Sequence, residues 1–197
     1  MILGLSTAEI LEWISVILNI LFTILLGREI RLGWLLGFVA SAIGVWLYAE
    51  QSAWLMSALN GFYAAMGIYG WWNWGRTEVV GKITTMSLAM HVGMIALGGL
   101  ITFGLVLLMR AIGLEGEYLW MEAFIAAFAI IATWLMSKKV LENWFYWTIG
   151  DAFGVYYNYK MEFNAYTLLM LVYIVLAVIG FINWRKQMTL QIATSEK

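Results

Sequence analysis

The 197-residue chain contains no cysteine, no proline and a single histidine. Without thiols there is no disulfide, no thiolate metal site and no cysteine nucleophile. Without proline the commonest cause of a helix kink is missing, so long apolar runs can form unbroken helices. Charge is scarce too. Charged residues make up 12% of the chain and hydrophobic ones 63%, against about 25% and about 45–50% in an ordinary soluble domain. A chain so composed cannot cover a water-facing surface, which excludes a soluble enzyme. A formal net charge of -1 supplies no basic field for nucleic acid. There is no H-E-x-x-H, no G-x-S-x-G and no pair of carboxylates at a common depth, so the sequence does not read as a membrane enzyme either, and it implies no cofactor and no metal.

What is present is apolar and punctuated by charge. A membrane span needs roughly 20 apolar residues, and the sequence divides into seven such runs: Ala8–Leu26, Leu32–Ala49, Ala53–Trp74, Thr85–Met109, Tyr118–Met136, Leu141–Tyr157 and Asn164–Trp184. The runs are too long for strands and lack the alternation of a membrane barrel. The first carries Glu9 and Glu12 and has no basic leader, so it reads as a span and not as a signal peptide. Arg28, Arg31, Arg76, Lys82, Lys138, Lys139, Arg185, Lys186 and Lys197 all fall on one side, against Arg110 and Lys160 on the other. The basic side is predicted to be cytoplasmic, which puts the N-terminus outside and the C-terminus inside, and requires an odd number of spans.

Sliding the sequence over itself by 110 residues reveals a repeat without gaps. Glu12 falls on Glu122, Thr23 on Thr133, Leu25 on Leu135, Trp34 on Trp144 and Gly44 on Gly154. Tyr63, Gly70, Asn73 and Trp74 fall on Tyr173, Gly180, Asn183 and Trp184. Spans one to three (residues 1–76) form one triplet and spans five to seven (118–186) the other. Span four and its loops (77–117) carry the chain back across the bilayer, and residues 187–197 are read as a polar, frayed cytoplasmic tail. The expected fold is an all-α integral membrane protein of seven transmembrane helices, with two parallel three-helix repeats in a 3+1+3 plan like that of SWEET-type carriers. In such carriers the substrate site lies between the repeats near the midplane.

The deepest ionisable group is Asp151, 10 residues past Leu141 and so about 15 Å into a core of about 30 Å. An aspartate there costs about 2.5–3.5 kcal/mol on insertion scales. It must be hydrogen-bonded by polar neighbours or meet a ligand. Its helical face favours the ligand. Trp144, Trp147, Asp151 and Gly154 form one stripe, and indole faces beside a carboxylate make a box for a flat cation. An aromatic belt at the interface explains Trp144 and leaves Asp151 unexplained. Asn60 and Tyr63 in span three, and Tyr166 and Tyr173 in span seven, offer further polar walls. Each could equally serve helix packing. The span-two mate of the stripe is Trp34, Gly37, Ser41 and Gly44, with Ser41 in place of the aspartate, so recognition is expected to be biased towards span six. Gly33–Gly37 and Gly150–Gly154 have the spacing of close helix contacts, and His91 reads as a packing or interface residue. Glu12 and Glu122 read as helix caps or cross-bundle hydrogen-bonders.

The run WFYWTIGD, with YGWWNWGR closing span three, resembles the PnuC-type vitamin transporters over nearly the whole chain. The resemblance implies a SWEET-like fold, a homotrimer in the bacterial cytoplasmic membrane, and import of a vitamin precursor by facilitated diffusion. It implies that Trp144, Trp147 and Asp151 bind the substrate. The nicotinamide riboside branch carries W-x-x-W-x-x-x-N, and the aspartate of W-x-x-W-x-x-x-D points to the thiamine branch. Nicotinamide riboside remains the alternative substrate, and a substrate-binding subunit of an ATP-driven importer the alternative role.

Overall fold

The computed structural model of the chain describes residues 7–50, 54–76, 82–114, 116–160 and 164–195. Among these the regular elements are seven helices: α1 (Thr7–Gly27), α2 (Leu32–Glu50), α3 (Trp54–Trp74), α4 (Leu88–Ala111), α5 (Leu119–Ser137), α6 (Asn143–Lys160) and α7 (Asn164–Ser195). A helix stands at each of the seven expected spans, with ends shifted by a few residues. Five helices, α1, α2, α4, α5 and α7, are apolar and long enough to cross a membrane. Residue for residue, the other two are the richest in polar and aromatic side chains, including Asn60 and Tyr63 in α3 and Asp151 and Asn158 in α6. Large apolar side chains cover the outside: Leu88 is 80% exposed, Leu100 70% and Trp13 64%. Surface of this kind is stable against lipid and not against water, and the chain is a multi-pass membrane protein.

The helices fall into two compact units, residues 1–81 and 82–197. In the first, α1 packs on α2 and α2 on α3. In the second, α4 packs on α5, α5 on α6 and α6 on α7. Small residues make the close approaches possible. In α2 the buried face is Gly33, Trp34, Gly37, Ala40, Ser41 and Gly44. In α5 it includes Ala123, Ala126, Ala127, Ala129 and Ala132.

The interiors of the two units repeat each other at the 110-residue offset. The Trp34 ring stands edge-on to Trp74 at 5.7 Å and 84°, and Trp144 stands edge-on to Trp184 at 5.5 Å and 83°. Trp34 lies against Gly70, and Trp144 against Gly180. The turns after α1 and α5 also match. Glu29 and Lys139 both adopt a left-handed conformation, with φ of 56° and 55°. The next amides, of Ile30 and Val140, donate to the carbonyls of Leu25 and Leu135 at 2.8 and 3.0 Å. Both helices therefore end in the same left-handed cap.

Two elements differ from expectation. Span four is expected to start at Thr85, but the helix begins only at Leu88, behind an N-cap in which the Met90 amide donates to Ser87 Oγ at 3.3 Å. Residues 82–86 form an extended strap. Thr84 N–H donates to the Lys139 carbonyl at 3.0 Å and the Leu141 amide donates to the Thr84 carbonyl at 2.8 Å. Met86 N–H donates to Glu142 Oε2 at 3.2 Å. The second difference is at the other end of the chain. The segment expected to be a frayed tail from residue 187 continues α7 as helix to Ser195. Its Gln191 Oε1 accepts the Ile83 amide at 3.0 Å, so the extension is anchored on the strap. A helix of 32 residues is about 48 Å long, well beyond a core of about 30 Å.

Candidate functional site

The polar stripe of α6 is set by helical spacing. Phe145, Ile149, Phe153 and Tyr156 are 43–49% exposed on the outer face. Trp144, Gly150, Asp151 and Gly154 are buried on the opposite one, with Trp147 half-buried between them. Asp151 lies at the middle of the helix, eight residues from Asn143 and nine from Lys160, roughly 12–14 Å from either end. Its side chain is 8% exposed. Among the described residues no side chain or amide is hydrogen-bonded to it and no cation is paired with it. A buried carboxylate left in this state is costly, so Asp151 is neither turned to lipid nor locked to the described protein groups.

Its neighbours are less uniform than the sequence pattern suggests. Trp144 is 1% exposed, wedged between Gly180 and Trp184 of α7. Trp147 packs against an apolar cluster built mostly from α5, of Ala127, Phe128, Ile131, Ala132 and Leu135 together with Met86, Val140 and Tyr146. Both indole Nε1 atoms are buried without a hydrogen-bond partner among the described residues. The same is true of Trp34 Nε1 in the first unit, which marks the Trp144 orphan as a feature of the repeated Trp–Gly packing. Trp147 has no such counterpart, because its mate is Gly37. In the first unit the space over Gly37 is filled by the Phe22 ring, at 2.7 Å from where a Cβ would stand. The mate of Phe22 is Ala132. The large and small partners have thus changed helices, and this exchange puts an indole on the Asp151 stripe.

Of the other predicted residues, Trp34 and Ser41 lie on the buried face of α2, 1% and 5% exposed. The Asn60 amide is packed onto Gly44, as Met170 is packed onto Gly154 in the second unit, with the Met170 sulfur 3.1 Å from where a Cβ would stand. Tyr63 is half-buried on α3, 5.8 Å from the Phe62 ring. Tyr173 is half-buried on α7, the helix packed against α6. Tyr166 lies on α7 as well, with its side chain outside the described residues. Gly150 departs from the expected close contact: it is buried, yet a Cβ placed on it would meet no atom within 4 Å. That open space, the strap and the α7 extension were not read from the sequence.

Two polar contacts flank the stripe at opposite ends of the unit. Tyr157 Oη donates to Glu122 Oε1 at 2.7 Å, tying the end of α6 to the start of α5 as one of the two readings of Glu122 anticipated. His91 Nδ1 is 3.1 Å from Tyr146 Oη, and the rings are stacked at 6.0 Å and 3°, which agrees with a packing role.

A helical membrane protein with an unpaired carboxylate buried halfway along one span has the attributes of a carrier for a polar or charged solute. The chain matches the family described as nicotinamide mononucleotide transporters over residues 9–186 and belongs to that family. It is similar to the riboflavin/roseoflavin transporter RibM of Streptomyces davaonensis, with 24% identity over 174 aligned positions covering 77% of this chain and 82% of the relative. Its fold is similar to the crystal structure of the vitamin B3 transporter PnuC, with a TM-score of 0.77 and 16% identity over 92% of this chain and 83% of that one. The resemblance to PnuC-type vitamin transporters is therefore upheld at the level of family and fold. The protein is a vitamin transporter of this family, and the family and both relatives are described as transporters.

Proposed function

We infer that the protein imports a cationic aromatic vitamin by facilitated diffusion, and that the substrate is thiamine. The observation that carries this reading is the Asp151 carboxylate, buried and unpaired among the described residues at the middle of α6. A permanent cation offsets the cost of that charge directly, and the face of the neighbouring indole adds attraction to a flat positive ring. The carboxylate also accepts hydrogen bonds without donating any, which suits the amino group of an aminopyrimidine better than a carboxamide that must both donate and accept. Trp147 supplies a ring face and an N–H, Trp144 the floor behind it, and Tyr173 the adjoining surface of α7, the helix that also carries Tyr166. In the first unit Trp34, Ser41, Asn60 and Tyr63 occupy related positions, but Ser41 takes the place of the carboxylate, so the charge recognition resides on α6.

The matched interiors of α1–α3 and α5–α7 support a duplicated triplet joined by α4, the 3+1+3 plan of SWEET-like carriers. The charge asymmetry supports an extracytoplasmic N-terminus and a cytoplasmic C-terminus in a bacterial inner membrane, and the family resemblance supports a homotrimer. With no proline at which to hinge, alternating access must come from rocking of whole helices or gating by side chains.

The test is ligand-induced thermal stabilisation of the purified protein by thiamine and by nicotinamide riboside, repeated for Asp151→Asn. Thiamine should stabilise the wild type, and the substitution should weaken it by about 10–100-fold, the range of a lost charge-assisted hydrogen bond. Equal loss for both ligands would remove the case for thiamine. In proteoliposomes the wild type should exchange labelled thiamine in counterflow. Uptake that needs an imposed proton gradient would overturn uniport, and tight binding without exchange would indicate a subunit of a larger importer.

A further inference from the structure

We propose that Gly150 sets the size limit of the space beside Asp151, so that the ring of the vitamin lies against the bare backbone of α6 at that position. The proposal rests on the binding reading above. Trp147, Gly150, Asp151 and Gly154 stand at i, i+3, i+4 and i+7, one face of one helix. Gly154 is closed over by Met170, and Trp147 by the α5 cluster. Gly150 alone on this face is buried with nothing near its missing side chain.

The first unit shows what the position looks like when it is packed. The mate of Gly150 is Ala40, which is 0% exposed and whose carbonyl accepts a hydrogen bond from Ser15 Oγ at 3.2 Å. The mate of Ser15 is Ile125, which can make no such bond. In the second unit, then, the side chain has gone, the clamp from the neighbouring helix has gone, and the residue that follows is the unpaired carboxylate. Helix packing explains a glycine where another atom presses on it, and among the described residues none does here. A space beside a buried acceptor, one residue on from Gly150 along the helix, suits a flat heteroaromatic ring with a polar edge, and a flat ring needs the absence of a Cβ to approach the helix closely.

Gly150→Ala separates the two roles because they move in opposite directions. If the space receives the vitamin, a methyl group enters without meeting protein and improves the helix. The ligand-free protein should then unfold at the same or a higher temperature, while thiamine affinity falls roughly tenfold or more. Gly150→Val should abolish binding with the ligand-free melting temperature still near that of the wild type. Unchanged thiamine affinity in Gly150→Ala would overturn the proposal. So would a lowered melting temperature of the ligand-free variant, since the methyl group would then have met protein. A wild type that binds neither thiamine, nicotinamide riboside nor riboflavin would instead sink the proposed function, and this inference with it.

Discussion

Trp34 and Trp144 show how one residue type, placed twice, separates packing from recognition. Each indole occupies the notch left by a glycine on the third helix of its triplet, and each stands edge-on to a tryptophan near the end of the same apolar run. A methyl group on Gly180 would lie 2.6 Å from Cη2 of Trp144, and the ring is held on its other side by Trp184 and cannot swing away. Gly180→Ala should therefore cost about 1–3 kcal/mol through overpacking, seen as a lower melting temperature in detergent. Trp144→Phe should recover most of that loss in the double variant. The contrast with Gly150→Ala, which is expected not to lower stability, checks that the two glycines do different things. At this scale the sequence exposed the charged group and the aromatic stripe, because a lone carboxylate in an apolar run violates a strong energetic rule. It did not show which tryptophan was structural. That depends on what stands opposite each ring, and the only available signal was the size exchange between Phe22–Gly37 and Ala132–Trp147, visible once the repeat is aligned.

Helices were legible and their ends were not. Apolar runs of about 20 residues without proline favour long helices, and a helix stands at each of the seven among the described residues. The strap at residues 82–86 and the helical end of α7 were missed for a common reason. Hydropathy records where a chain leaves the lipid and is silent about what it docks on in water. The strap is held from both sides, by the α5–α6 turn and by Gln191, and Ile83 and Met86 are 5% and 8% exposed within it. Gln191 lies beyond the last residue of the family match, Lys186, so this anchor belongs to the present chain rather than to the part it shares with the family. Gln191→Leu leaves the buried Ile83 amide without its acceptor and should cost about 1–3 kcal/mol. Hydrogen exchange at Ile83 should accelerate in that variant. The ratio of thiamine to nicotinamide riboside affinity should stay unchanged, because the strap meets the turn before α6, roughly 12 Å along the helix from Asp151. A changed ratio would mean that the strap acts on the site.

For the molecule as a whole, composition decided the environment, and the distribution of eleven basic residues decides the predicted topology. The two indicators are independent. The first depends on how much apolar surface must be covered, as the exposed Leu88, Leu100 and Trp13 show. The second depends on which loops cross with difficulty. The proposed 3+1+3 plan adds a constraint, since two parallel triplets joined by one helix predict an odd number of crossings with the termini on opposite sides. The absence of native cysteine makes this directly measurable. Thr7 and Thr189 are both exposed at the surface, the first at the start of α1 and the second near the end of α7. In intact cells Thr7→Cys should react with a membrane-impermeant maleimide, whereas Thr189→Cys should react only after the membrane is permeabilised. Both variants should retain counterflow, since neither position lies on the stripe that carries Asp151. Labelling of Thr189→Cys from outside would invert the topology. Labelling of both from the same side would require an even number of crossings, and with it the duplicated triplet joined by a single returning helix would fall.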